Sequence, residues 1–377
     1  MKRIISIGLA GMLICGAVTA QSIKIANTFG GDADNTGGSD LFTFENQKNE
    51  EEEGYSNEFK NTTRVSNRLQ LDASGNQFDG RMRLEFAAGR YNGKESTVRL
   101  RGYGRYKPVN AFQVIAGNDF STKAAVDAGY LAASDDSPKF ARILQSGFGA
   151  LSNLNFGDEK RIFVKFGAGL RFDDDSFLDI NKLGFDAGLS FGMKELFSFG
   201  ATFQNITGNN ISAGVFVGLN SIENLTLNAG YIYNNTDTDY ITKKAKNSVS
   251  FTAGYKFTDL GLFAGFDVIC GLGNEYLENG ETKKYQKNDT DLIPFLTKLN
   301  VTYKVSENIT VGAKAKVSMM IGNDSSAKTE VYPNLTYKLL DKFGTVTTGI
   351  RMTFDKNGIA KFAVPINWKC TLAEIKK

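Results

Sequence analysis

The stretch "GRMRLEFAAGRY", residues 80–91, decides how the chain is read. Met82, Leu84, Phe86 and Ala88 take every second position, and Arg81, Arg83 and Glu85 fill the places between. Successive side chains of a strand point to opposite faces, so one face here is apolar and the other carries the arginines. One such strand fits a soluble sheet as well as a membrane wall. The decision rests on how often the pattern recurs and on what could cover the apolar faces.

The pattern recurs along the whole chain. In "KRIFVKFGAGLRF", Ile162, Val164, Phe166, Ala168, Leu170 and Phe172 share one parity, with Arg161, Lys165 and Arg171 on the other. "KLGFDAGLSFG" repeats it through Leu183, Phe185, Ala187, Leu189 and Phe191, and "SVSFTAGYKF" through Val249, Phe251, Ala253, Tyr255 and Phe257. In "ITVGAKAKVSM", Ile309, Val311, Ala313, Ala315 and Val317 oppose Lys314 and Lys316. These runs have the roughly 9 to 11 residues that a tilted strand needs to cross a bilayer core, against about five or six in soluble domains.

Connector lengths give a second test. Long connectors at 30–62, 119–146, 234–247 and 273–294 alternate with short ones around 73–79, 107–110, 157–160, 193–195, 220–224, 258–259 and 306–308, and a further connector is expected at 321–328. Outer-membrane barrels have that asymmetry, with short turns inside and long loops outside. With two weaker strands, "SIKIANTF" at 22–29 and "GFGALSNLNF" at 147–156, the count is eighteen; without them it is sixteen.

Ahead of the strands, Lys2 and Arg3, the apolar "IISIGLAGMLIC" and the small-residue "AVTA" before Gln21 describe a secretory signal peptide over residues 1–20. Ile14 stands where a lipidated Cys15 would need a small neighbour, which disfavours a lipoprotein reading. The nearest later apolar run, 260–272, is short and interrupted by Asp267, so a membrane crossing must use a closed barrel over 21–377. The formal charge of +3 falls to +1 without Lys2 and Arg3 and carries no message about partners. Forty Gly, 29 Phe and 14 Tyr against 5 Pro favour aromatic, glycine-rich strands. Histidine is absent, which removes Ser-His and Cys-His catalysis and histidine metal sites together. Cys270 and Cys370 are too few for a disulfide framework and share the apolar parity of their strands.

Too many strands present an apolar face for one soluble core to cover, whereas lipid can receive every apolar face and a watery lumen every polar one. On these grounds residues 22 to about 372 resemble bacterial outer-membrane porin-like barrels: transmembrane, antiparallel, up-and-down, with 16 to 18 strands and eighteen preferred. The resemblance implies a bacterial outer-membrane location, contact with membrane lipid and with the outer-membrane assembly machinery, and passive diffusion of small hydrophilic solutes. It implies neither a cofactor, nor a catalytic residue, nor a nucleic-acid partner, and leaves homo-oligomerisation open. One departure stands out. Such barrels typically end on an aromatic residue, but here Trp368 is followed by "KCTLAEIKK", and Pro365 lies inside the last strand, where it removes a ladder hydrogen bond. A short periplasmic tail is the expectation.

Eight arginines lie between residues 64 and 105, and all but Arg90 oppose the apolar face: Arg64, Arg68, Arg81, Arg83, Arg99, Arg101 and Arg105. Three adjacent strands would line one lumen wall with a basic stripe, and guanidinium groups favour carboxylates, phosphates and other anions. Neutralisation by nearby acids such as Glu85 is the competing expectation. The acidic run Glu50 to Glu53 reads as a solvated loop tip, and "GDADNTGGSD" lacks the final glutamate of a calcium loop, with Thr43 in its place. Residues 119–146, fairly apolar for a loop, are expected either to fold into the lumen or to pack outside. The rival functions are a plugged transporter of a hydrophobic ligand and a surface adhesin. Polar and glycine-rich inward positions speak against the plug.

Overall fold

Because alternation fixes which face each strand buries, the chain can form a continuous wall only by pairing strand to strand until it meets itself. A computed structural model describes residues 21–30, 40–48, 55–61, 64–89, 97–117, 122–123, 142–144, 147–171, 184–207, 211–219, 221–234, 245–278, 281–339 and 343–376. Residues 1–20, and with them the expected signal peptide, lie outside the described residues.

The described residues form a closed, antiparallel barrel of eighteen strands. Strand β1 comprises Ser22–Phe29 and Asp40–Lys48, and β2 comprises Tyr55–Asn61 and Arg64–Ser74. There follow β3 (Phe78–Gly89), β4 (Thr97–Val109), β5 (Phe112–Gly117), β6 (Gly147–Phe156) and β7 (Ile162–Arg171). Next come β8 (Gly184–Met193), β9 (Phe197–Gln204), β10 (Ser212–Leu219), β11 (Leu225–Tyr233), β12 (Asn247–Phe257) and β13 (Leu262–Gly271). The last five are β14 (Ile293–Lys304), β15 (Ile309–Ile321), β16 (Asn323–Lys338), β17 (Thr345–Gly349 and Arg351–Asp355) and β18 (Gly358–Lys376). Antiparallel pairing of β1 with β18, from Ser22↔Lys376 to Phe29↔Trp368, closes the wall.

Three expectations are corrected. Residues 30–62 are not one long loop: Asp40–Lys48 continues along β18 above Ser22–Phe29, and Tyr55–Asn61 returns beside it. At the junction Gly30 has φ 76 and lies so close to Ile366 O that a side chain would collide. The expected tail after Trp368 is strand to Lys376, held by β1. Its alternation, with Glu374 opposite Lys24 and Ile375 opposite Ile23, matches the first strand and fixes it there. The connector expected at 321–328 is a sharp turn at Gly322, after which β16 starts at once.

Two prolines explain the break in β17. Ile350, between its two parts, donates its N–H to Pro333 O on β16, and on the other side Pro365 falls opposite the gap between the Thr348↔Ile366 and Arg351↔Ala363 pairs. Without an N–H, proline cannot complete a ladder there, and the strand yields.

The faces sort as a membrane wall requires. Outward Phe86, Leu100, Phe166, Val217, Phe251, Leu299 and Leu335 are exposed, whereas inward Ser190, Thr202, Ser212 and Thr252 are buried. Aromatic pairs such as Phe78–Tyr106 (4.8 Å) and Tyr255–Phe257 (4.6 Å) lie near the short turns, where Trp368 Nε1 also donates to Phe343 O at 2.7 Å. Amphipathic rings favour that interfacial level. Inside, Phe216 occupies the gap left by glycine on both neighbours: Gly200 and Gly230 are its register partners, and its ring covers Gly230.

Above β13, residues 272–278 and 281–292 are folded. Glu275–Glu278 pairs with Glu281–Lys284, and Gln286–Lys287 with Thr290–Asp291. Tyr276 and Tyr285 stack at 4.0 Å, and Asn274 Nδ2 donates to Asp291 Oδ1 at 2.7 Å. Lys283 donates to Glu278 at 2.5 Å, and that carboxylate raises the lysine pKa. Leu277 and Leu292 are buried, as is Ala245, whose Cβ crowds the inward side of Gly271.

Candidate pore lining

Register places the arginines. Arg68 stands opposite Glu85, Gln70 opposite Arg83 and Asp72 opposite Arg81 across β2 and β3. Across β3 and β4, Glu85 meets Arg99, Arg83 meets Arg101, Arg81 meets Tyr103 and Asp79 meets Arg105. Met82, Leu84 and Phe86 pair with Leu71, Leu69 and Asn67 on the lipid side. Arg68, Arg81, Arg83, Arg99, Arg101 and Arg105 therefore share the inner face. Arg64 has the same parity in the backbone register, opposite Gly89, but its side chain lies outside the described residues, as does Arg90.

The stripe is a bonded network. Arg68 Nε lies 2.7 Å from Glu85 Oε1, and Arg101 Nε 3.8 Å from Glu85 Oε2; the Glu85 side chain is only 2% exposed. Arg81 Nε binds Asp72 at 2.6 Å, and Asp79 takes both Arg105 Nε (2.7 Å) and Lys107 Nζ (2.5 Å). Gln70 joins two rungs, accepting from Arg83 Nε at 2.8 Å and donating to Asp72 Oδ2 at 2.5 Å. Tyr103 lies between two guanidiniums, Arg81 at 5.9 Å and Arg105 at 5.8 Å from its ring centroid. The competing expectation of neutralising acids is thus partly met: Asp72, Asp79 and Glu85 sit in the wall, but the described cations Arg68, Arg81, Arg83, Arg99, Arg101, Arg105 and Lys107 outnumber them seven to three. From Arg99 to Lys107 the ladder runs roughly 27 Å along β4 at the usual rise per residue.

Sequence reading missed two inward features. The first is a charged row across β13 to β16, in which Asp267, Lys298, Lys316 and Glu330 follow one another in register. Thr252 Oγ1 donates to Asp267 at 2.5 Å, and Arg351 reaches Glu330 at 3.8 Å and Tyr332 at 5.0 Å. The parity of "KLNVTYKV" and "AKAKVSM" contained the lysines, but not which acid would stand beside them. The second is apolar: Ile232, Pro294 and Met320 face inward near the outer end of β11 to β15 and are buried, together with Ala245. The inner surface is less uniformly polar than expected.

Of the segment 119–146, Thr122–Lys123 pairs with Arg142–Leu144 outside the barrel sheet, and Arg142–Leu144 lies against β7, β8 and β9. The rest of that segment falls outside the described residues. Cys270 and Cys370 are free, and no group of metal-binding side chains is found among the described residues.

Comparison with known proteins agrees with this architecture. Residues 179–358 match the model of the OmpA-like transmembrane domain. The structure of Pseudomonas aeruginosa OpdK with vanillate superposes with a TM-score of 0.54 at 9% identity, covering 94% of this chain and 98% of that one. The chain has the fold of a porin-like β-barrel. A mutant of Rh. blastica porin is similar to the porin-like barrel with a TM-score of 0.46 at 10% identity, over 93% of this chain and 99% of that one. No curated protein matches the porin-like barrel.

Proposed function

We propose that the barrel is a passive channel for small hydrophilic solutes, with a preference for anions set by the wall of β2 to β4. The observation that carries this reading is the excess of four cations among the described side chains of that wall, on the inner face of an eighteen-stranded barrel. Barrels of about this strand number leave room for an aqueous path, and in a narrow path with low-dielectric walls a fixed positive field raises the local concentration of anions. The arginines act as successive weak stations: Arg81, Arg83 and Arg105 share hydrogen bonds with Asp72, Gln70 and Asp79, and Arg68 and Arg101 pair with Glu85, so a passing carboxylate or phosphate gains attraction without being trapped. Vanillate, named with OpdK, is an anion of this kind. Diffusion suffices, and no chemical step is required.

The test is single-channel recording of the refolded mature chain in a planar bilayer across a salt gradient. Stable conductance with an anion-selective reversal potential is expected, and Arg81→Ala combined with Arg99→Ala should move that potential toward zero. A folded barrel that stays electrically silent would remove the open-channel reading.

A further inference from the structure

The outer face of the barrel is not evenly filled. One cross-strand row runs Phe191, Phe199, Val217, Ala229, Phe251 over β8 to β12, each residue the register partner of the next. All five point to the lipid side. Rings stand high at both ends of the row while valine and alanine lie low between them, so the sequence cuts a trough into the wall. Phe199 and Phe251 are three strand spacings apart, about 14 Å. The rings are braced from outside the trough, Phe199 by Phe191 at 5.1 Å and Phe251 by Phe266 at 5.8 Å, and so cannot easily fold down to fill it. Phe197 bounds the end nearest the short turns, and the resulting groove has a volume of about 480 Å³.

The geometry points to a seat for one acyl chain of a phospholipid from the periplasmic leaflet. The groove is continuous with the lipid-facing belt, so hydrocarbon is what surrounds it. Its outward lining is apolar, which leaves water nothing to bond to. Its lower end abuts the turn 194–196, on the side of the barrel where the connectors are short and β18 ends. There the exposed Lys194 can meet a lipid phosphate, while exposed Glu195 and the neighbouring Glu223 can meet an ammonium, a pairing that suits a zwitterionic headgroup. Transfer from bilayer to groove exchanges one hydrocarbon environment for another, so the preference comes from close packing between fixed rings.

The experiment uses phosphatidylethanolamine with dibrominated acyl chains, diluted in unbrominated phosphatidylcholine in nanodiscs. In a Trp368→Phe background, tryptophan is placed in the groove by Phe199→Trp, or on the plain outer face of β14 by Leu299→Trp. A seat raises the local concentration of brominated chains about four-fold, equivalent to ~0.8 kcal/mol, and the groove reporter is quenched to that greater extent. Adding Ala229→Phe, which fills the trough at an exposed position, should abolish the excess, while Ala313→Phe on β15 should leave it. Equal quenching of the two reporters overturns the proposal. So does an excess that appears only when two protein copies share a disc, because the trough is then an interface between copies.

Discussion

Glu85 shows how a single side chain can work against the field and for the fold. It is nearly sealed from solvent and holds Arg68 and Arg101 at once. Removing one partner of a buried ion pair leaves the other desolvated and uncompensated, so Glu85→Gln should destabilise the barrel by about 3 kcal/mol in urea unfolding. The same substitution adds one net positive charge to the wall and should shift the reversal potential further toward anion selectivity. Arg83→Gln, whose Nε is held by an amide, should lower selectivity with a smaller stability loss. At Gly230 the constraint is steric: Gly230→Val meets the Phe216 ring and should cost about 1–3 kcal/mol, with much of it recovered by adding Phe216→Leu. The parity of each arginine was legible in the sequence, since alternation is a local property. The placement of Phe216 between Gly200 and Gly230 was not, because it depends on which strands become neighbours and in what register.

At the level of strands and loops, two of the departures from the expected connectors have one origin. Alternation weakens where strands leave the membrane, so 40–48 and 55–61 read as loop although they extend β1 and β2. The same applies to 272–292, whose small hairpins rest on Leu277 and Leu292 rather than on a periodic pattern. Replacing 275–291 by a short turn should raise single-channel conductance if this folded segment narrows the outer mouth, while the urea midpoint changes little. An unchanged conductance would place it clear of the solute path. Deleting 124–138 puts the other long segment to the same test, with its paired base at Thr122–Lys123 and Arg142–Leu144 kept.

For the whole molecule, the recurrence of period-two patterning over strands too long for a soluble domain was enough to identify a barrel of sixteen to eighteen strands, because closure leaves no other way to satisfy every edge. The charge balance of the lumen was only half legible: arginines cluster in sequence, whereas Asp267, Glu330 and the lysines of β14 and β15 come together only through the register. If the selectivity arises from the summed field of the wall, it should fade with salt. The screening length falls from about 10 Å at 0.1 M to about 3 Å at 1 M, so the reversal potential per ten-fold gradient should shrink markedly over that range.

The nineteen residues of β18 pair with both parts of β1 on one side and both parts of β17 on the other. Ser22, at the start of the fold, thus waits for Lys376, at its end. This gives the molecule an order in time. Every other strand finds its neighbour as soon as the next stretch of chain exists, but the seam cannot form until β18 has been made. Insertion of a sealed wall must therefore follow synthesis of β18, with the slow step expected of so distant a pairing. A chain shortened to residue 360 leaves both parts of β1 with a partner on one side only, and it should accumulate as an open, protease-sensitive sheet rather than as a narrower channel.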